Sequence, residues 1–168
     1  MDQPTVCAVC GYVYSATKIE EIPEKLQTAT AAFVALLDGD ADELVRRPAP
    51  DHWSVLEYAS HLRDVLLSLR ERLILGLLVD NAVGTPIYRD ERVDRGLYSL
   101  DTPSDLQVQL GVATNLVRTT ISTMPIDAWK RKMTYSTTMP GQVDLAWVAS
   151  QALHEATHHL GDIQSILG

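Results

Sequence analysis

The residues best equipped for chemistry gather near the C-terminus, in Ala152-Leu-His-Glu-Ala-Thr-His-His-Leu-Gly-Asp-Ile163. Three of the five histidines lie there, His154, His158 and His159, and Glu155 stands among them. Residues four apart on a helix sit one above the other on the same face. The stretch therefore offers two stacked pairs, His154 with His158 and Glu155 with His159. Imidazole nitrogen and carboxylate oxygen both suit zinc and its neighbours, so either pair can supply two ligands to one ion.

The helix that carries them is expected from about Gln142 to Leu167, with a large apolar stripe through Leu145, Ala149, Ala152, Ala156, Leu160, Ile163 and Leu167. At about 100° per residue, His159 lies roughly 50° from the centre of that stripe and Glu155 roughly 90°. Both border the interior. His154 and His158 lie roughly 150 to 170° away, in line with Trp147 and Ser165. The two pairs thus face opposite ways. Glu155 and His159 look into a cleft between helices, where His61 of an earlier helix can join them. A His–Glu–His set leaves one tetrahedral position for water or substrate, as in a catalytic zinc site. Spacing alone favours reading His61 as a boundary histidine bonded to a neighbour, since Glu57 and Asp64 lie beside it.

The other pair faces the back of the helix, and the chain has a segment that can cover it. Residues 1–18 contain the only two cysteines, in Val6-Cys-Ala-Val-Cys-Gly-Tyr-Val-Tyr14. Two cysteines at this spacing before a glycine form half of a zinc knuckle, or else two free thiols in a short hairpin. A redox pair of the thioredoxin kind lacks its βαβ surroundings. Cys7, Cys10, His154 and His158 together would make a closed, structural zinc site. The alternative for the two histidines is a solvent-facing or hydrogen-bonded surface role.

Four long amphipathic segments must position these groups. The first is expected from about Ile19 to Leu37, with Leu26, Ala29, Phe33, Leu36 and Leu37 on its buried stripe. After a stiff connection through Arg46-Arg47-Pro48-Ala49-Pro50-Asp51-His52-Trp53, Ser54 and Glu57 form a capping box for the second, about Val55 to Asn81. A polar loop over 82–102 carries Arg89, Arg92 and Arg95, either a solvated face or a contact for an anionic substrate. Thr102-Pro103 opens the third helix, which runs to about Met124 before Pro125. Asp127-Ala-Trp129 is read as one further turn, and 131–138 as extended, before a turn at Pro140-Gly141. The pattern is an all-α four-helix bundle over residues 19–168 with a short Cys-x-x-Cys extension over residues 1–18.

Composition agrees with one globular domain: 168 residues, 46% hydrophobic and 21% charged. A net charge of −8 repels a phosphate backbone, which argues against nucleic acid as a partner. The longest apolar-rich stretch, Leu62 to Val79, is broken by Arg63, Asp64, Arg70, Glu71 and Arg72, so no membrane span is expected. No signal peptide is legible at the N-terminus, and a cytoplasmic location is the expectation. The two cysteines are too few for a disulfide framework.

Two motifs carry a family resemblance. Trp53-Ser-x-x-Glu57-x-x-x-His61-x-x-Asp64, with Glu155-x-x-His158-His159-x-Gly161-Asp162-Ile163, resembles the DinB-like superfamily of metalloenzymes, which includes YfiT-like and mycothiol-dependent maleylpyruvate isomerase-like members. The resemblance implies a four-helix bundle with a metal held by one histidine of the second helix and two residues of the last. In most members that last pair is two histidines, the second followed by x-Gly-Gln-Ile. Aligning Gly161-Asp-Ile on this element places the pair at Glu155 and His159. The glutamate departs from the commonest pattern and is similar to the mycothiol-dependent isomerase branch, where a His, Glu and His set binds zinc. The cysteine-bearing extension is outside the core pattern. Despite the damage-inducible family name, the acidic charge gives no reason to expect DNA repair.

The resemblance implies a divalent metal, zinc first and nickel as the alternative, held by His61, Glu155 and His159, with Asp64 or Glu57 orienting His61. It also implies a low-molecular-weight thiol such as mycothiol or bacillithiol as co-substrate, in an S-transferase or a thiol-assisted isomerase. A metal-dependent hydrolase and a non-catalytic metal- or ligand-binding bundle are the rival readings. The expected partner is a small-molecule substrate, and assembly as a homodimer is compatible with all three.

Overall fold

The structure, a computed structural model, describes residues 3–50 and 52–167, and of Pro140 and Leu167 the backbone alone. Its order is α1 (Ile22–Leu36), α2 (Ala41–Val45), α3 (Val55–Leu78), α4 (Arg89–Asp94), α5 (Pro103–Thr123), β1 (Lys132–Ser136), β2 (Met139–Asp144) and α6 (Leu145–Leu167). The four long helices, α1, α3, α5 and α6, form the bundle. Each of α5 and α6 packs against both α1 and α3. Hence α1 and α3, consecutive among the long helices, stand across a diagonal, and α3 and α6 are neighbours.

Local chemistry starts α3 and α5 where the sequence marks them, whereas α6 begins at Leu145 rather than near Gln142, because residues up to Asp144 belong to β2. The Ser54 hydroxyl accepts from the Glu57 amide at 3.2 Å, while the Glu57 carboxylate accepts from the Ser54 amide at 2.8 Å. That reciprocal box satisfies two amides left over at the start of α3. Thr102 caps α5 ahead of Pro103, and the Asp144 carboxylate accepts from the Trp147 amide at 2.8 Å at the start of α6. Ahead of α1 the chain makes a 3₁₀ turn over Ile19–Glu21 and continues directly into the helix. Leu26, Phe33, Leu62, Leu66, Leu69, Leu73, Leu106 and Leu110 are fully buried on the facing stripes.

On α6, Leu145, Ala149, Ala152, Ala156 and Ile163 are buried and Leu160 is partly so. The side chain of Leu167, expected on the same stripe, lies outside the described residues. Trp147 and His154, on the opposite side, are buried as well. Their cover is the N-terminal segment. The Trp147 indole donates to the Pro4 carbonyl at 2.8 Å, and Tyr14 stacks on Trp147 with centroids 4.8 Å apart. The Ser150 hydroxyl donates to the Tyr14 carbonyl at 2.8 Å. Gln3 exchanges two hydrogen bonds with Asp144, amide to carboxylate and backbone N–H to amide oxygen. Met1 and Asp2, part of the expected extension, lie outside the described residues.

The connections differ from the sequence expectation in three places. The stretch after Leu37 folds into α2 because the Asp40 side chain accepts from the Asp42 and Glu43 amides. The polar loop contains α4, whose Arg92 donates to the Ile87 carbonyl and reaches Asp64. The extended stretch pairs as an antiparallel hairpin, and its turn is Thr137-Thr138. Pro140-Gly141 falls instead within β2 beside a register irregularity, where a residue without an N–H is tolerated.

Buried Arg72 ties this hairpin to α3. Its guanidinium donates to the Tyr135 carbonyl at 2.9 Å and to the Thr85 carbonyl at 2.5 Å. Gly84 passes so close that a Cβ there would meet the Tyr135 carbonyl oxygen at 2.2 Å and the Arg72 Nε at 2.8 Å. Gly84→Ala is therefore expected to destabilise the protein by about 1–3 kcal/mol, read as a lower midpoint in urea. Ser54→Ala should cost about 1 kcal/mol through the lost cap, visible in the same titration.

Candidate metal centre

The seam between α3 and α6 brings together three groups that could bind a cation. His61 projects from α3, two turns beyond its capping box. Glu155 and His159 project from α6, one turn apart. The Glu155 carboxylate lies 3.1 Å from His159 Nε2 and 3.6 Å from His61 Nε2, through the same oxygen. One ligand atom from each of the three lies within 4.8 Å of the others. Ligands about 2.0–2.2 Å from a tetrahedral zinc stand roughly 3.3–3.5 Å apart. The separations of the carboxylate oxygen from the two imidazoles, 3.1 and 3.6 Å, lie just to either side of that range.

Burial sets the electrostatics. The side chains of His61 and His159 are 3% and 5% exposed, whereas Glu155 keeps 14%. Burial alone would push the Glu155 carboxyl up, but hydrogen bonds and charge from His159 and His61 reverse this and hold it far below the usual carboxylate range. Burial pushes His61 down, so its imidazole is the neutral partner. His159 is also opposed by burial, yet its bonds to Asp162 and Glu155 raise it. The two carboxylates beside His159 thus favour the protonated form of its ring.

Neighbouring groups aim these ligands. The Asp162 carboxylate lies 2.9 Å from His159 Nδ1, which leaves Nε2 turned towards Glu155. The Gln151 amide donates to the other Glu155 oxygen at 2.5 Å. Trp53 stands edge-on to His61 with centroids 5.3 Å apart, and Tyr58 lies 5.4 Å from the ring of His159. The sequence motifs do not single out Gln151 and Asp162 for these roles. Their spacing, four before Glu155 and three after His159, is the signal that places them on the same face.

The expectation that Asp64 or Glu57 orients His61 is not met. Asp64 is engaged by Arg63, Arg92 and the Tyr98 hydroxyl. Glu57 is engaged by Arg47 and the Ser54 amide. Among the described residues the buried Nδ1 of His61 has no hydrogen-bond partner. Both carboxylates lie close along α3, but arginines from the flanking loops pull them outwards. Of the loop arginines, Arg92 serves Asp64, while the charge of Arg89 is felt at His61, Tyr58 and Asp162.

The second expected set also converges. One ligand atom from each of Cys7, Cys10, His154 and His158 lies within 4.8 Å of the others, on the opposite side of α6. His158 and Asp162 belong to a third overlapping group, with His159. Among the described residues, no helix is long and apolar enough to cross a membrane.

Comparison with known proteins gives a consistent picture of the fold. The family described as the DinB superfamily matches residues 24–163. The backbone is similar to YfiT from Bacillus subtilis, described as a probable metal-dependent hydrolase with an unusual four-helix bundle topology (TM-score 0.81, 16% identity, 90% of this chain and 87% of that one). It is similar also to the mycothiol-dependent maleylpyruvate isomerase (TM-score 0.70, 15% identity), over 90% of this chain but 62% of that one. A third similar structure is TT2238, a four-helix bundle protein (TM-score 0.60, 19% identity, 88% of this chain and 99% of that one). No curated protein is significantly similar in sequence.

Asp162→Asn should weaken metal binding at this centre by about 10–100-fold, because the amide no longer holds His159 as the carboxylate does. Competition with a chromogenic chelator measures it. An unchanged affinity would show that Asp162 does not position His159.

Proposed function

The chain belongs to the DinB superfamily, and we propose that within it this protein is a divalent-metal-dependent enzyme acting on a small molecule. His61, Glu155 and His159 hold the metal, with zinc favoured by the two imidazoles and one carboxylate and nickel suited to the same donors. The reaction is transfer to or from sulfur of a low-molecular-weight thiol, or an isomerisation that such a thiol assists. The observation that carries this reading is the convergence of three donors from two helices, two of them buried and one partly so, within 4.8 Å of one another. The mycothiol-dependent isomerase, whose fold is shared, supports the thiol.

A divalent cation there supplies Lewis acidity, which makes a thiol a better nucleophile near neutral pH and polarises a carbonyl. The chain's own residues do the rest. Gln151 occupies one oxygen of Glu155 and leaves the other for the shared centre. Asp162 fixes the ring of His159. Trp53 and Tyr58 wall the two imidazoles against water, which strengthens every charge interaction inside. Arg89 places a positive charge near the site and suits a substrate bearing a carboxylate.

A second reading, metal-dependent hydrolysis, is supported by the similarity to YfiT. The same ligands would serve, with water in place of the thiol. Metal analysis of the wild type and His159→Ala, followed by turnover assays with mycothiol and bacillithiol, tests both. The variant should lose one equivalent of metal and all activity. Full metal retention would refute the site. Turnover of esters or amides without added thiol would transfer the assignment to the hydrolase, and metal binding with neither activity would make the protein a binding bundle.

A further inference from the structure

The back of α6 carries polar atoms that the first centre does not use. His154 is buried, and among the described residues its Nε2 has no hydrogen-bond partner. The same is true of the buried Nδ1 of His158. Two orphaned imidazole nitrogens one helical turn apart are costly unless something binds them. Facing them is the turn of Cys7 and Cys10, whose thiols complete the group of four within 4.8 Å.

We propose that Cys7, Cys10, His154 and His158 form a second, closed zinc site that fastens the N-terminal segment to the back of α6. The chemistry matches structural zinc: four protein ligands, two sulfur and two nitrogen, with no position left for substrate. Thiolates about 2.3 Å and imidazoles about 2.0 Å from the ion would need separations of this order.

The surroundings of each ligand agree. The opposite nitrogen of each histidine already has a companion, so the free one is defined. His154 Nδ1 lies 3.4 Å from the Tyr14 hydroxyl, and His158 Nε2 lies 3.5 Å from the Asp162 carboxylate. Ligating histidines characteristically use their second nitrogen in this way. The cysteine turn is shaped as a knuckle. The Gly11 amide donates to the Cys7 carbonyl at 3.0 Å, the Cys7 amide donates to the Tyr12 carbonyl at 2.8 Å, and Gly11 adopts a positive φ of 73°. Backbone hydrogen bonds from Cys10 and Val9 favour the Cys7 thiolate, against desolvation. Cys10 and His158 border a groove open to solvent, which gives an ion a way in.

Asp162 joins the two sites. Its carboxylate faces His159 of the first centre and His158 of the second. The proposal does not depend on the enzymatic reading, because it concerns other ligands and is measured without substrate.

The test is metal content of the tag-free full chain purified under reducing conditions, with cobalt substitution as a second measurement. Wild type should hold two zinc ions per chain, and Cys7→Ala/Cys10→Ala one, with helical circular dichroism retained. His159→Ala should also hold one. Cobalt-loaded wild type and His159→Ala should show thiolate-to-cobalt charge-transfer absorption, and the cysteine variant should lose it. Failure of the first centre alone would leave that absorption intact with one zinc in the wild type. An unchanged zinc count on removing both cysteines would overturn the proposal. So would absence of the charge-transfer band in the wild type, which decides the matter even if the cysteine variant does not fold. A metal-free Cys7–Cys10 disulfide would overturn it too.

Discussion

A carboxylate carried into the seam between two helices constrains everything around it. Moving such a charge out of water costs several kcal/mol unless partners repay it. Glu155 meets that cost with two imidazoles and an amide, and one of the imidazoles comes from a different helix. The α3–α6 interface and the candidate centre are therefore one arrangement. If α3 slid by a turn relative to α6, His61 would leave Glu155 and the buried charge would lose a partner. The capping box at Ser54, which sets where α3 begins, and the diagonal order of the bundle, which makes α3 and α6 neighbours, both serve this contact.

The last helix works on two sides. Its front is the front of the bundle core, sealed by alanines that allow close approach and by Leu145 and Ile163. Its back would be a row of aromatic and imidazole groups open to water, were it not for the segment over residues 3–18. Tyr12, Tyr14 and Pro4 replace that water with stacking and hydrogen bonds to Ser150, His154 and Trp147. A length of chain with no helix of its own before Ile19 is thus held by the helix it covers. Asp162 lies at the boundary of the two sides, touching a histidine of each.

Much of the bundle is legible in the amino-acid sequence. Ser54 with Glu57 and Thr102 with Pro103 mark helix starts, because caps are local hydrogen-bond chemistry. The separation of Glu155 and His159 from His154 and His158 is equally legible, because the turn per residue is a property of the helix itself. The short elements are less so. α2 depends on a single capping aspartate, and the hairpin turns at Thr137-Thr138 although Pro140-Gly141 carries the stronger turn composition. The Ser136 hydroxyl, accepting from the Thr138 amide, is the local contact that marks the true turn.

Which residues share a helix face, and which faces are apolar, is settled within a few residues of chain, so the sequence carries both without help. Who meets whom is settled only by tertiary packing. It set His61 against Glu155, drew Asp64 and Glu57 away from His61 to arginines, and laid the cysteine turn over His154 and His158. Spacing along α3 places Asp64 and Glu57 within reach of His61, and only the folded loops show that other cations claim them. Contacts between distant segments depend on which helices become neighbours, and periodicity along one helix carries no record of that.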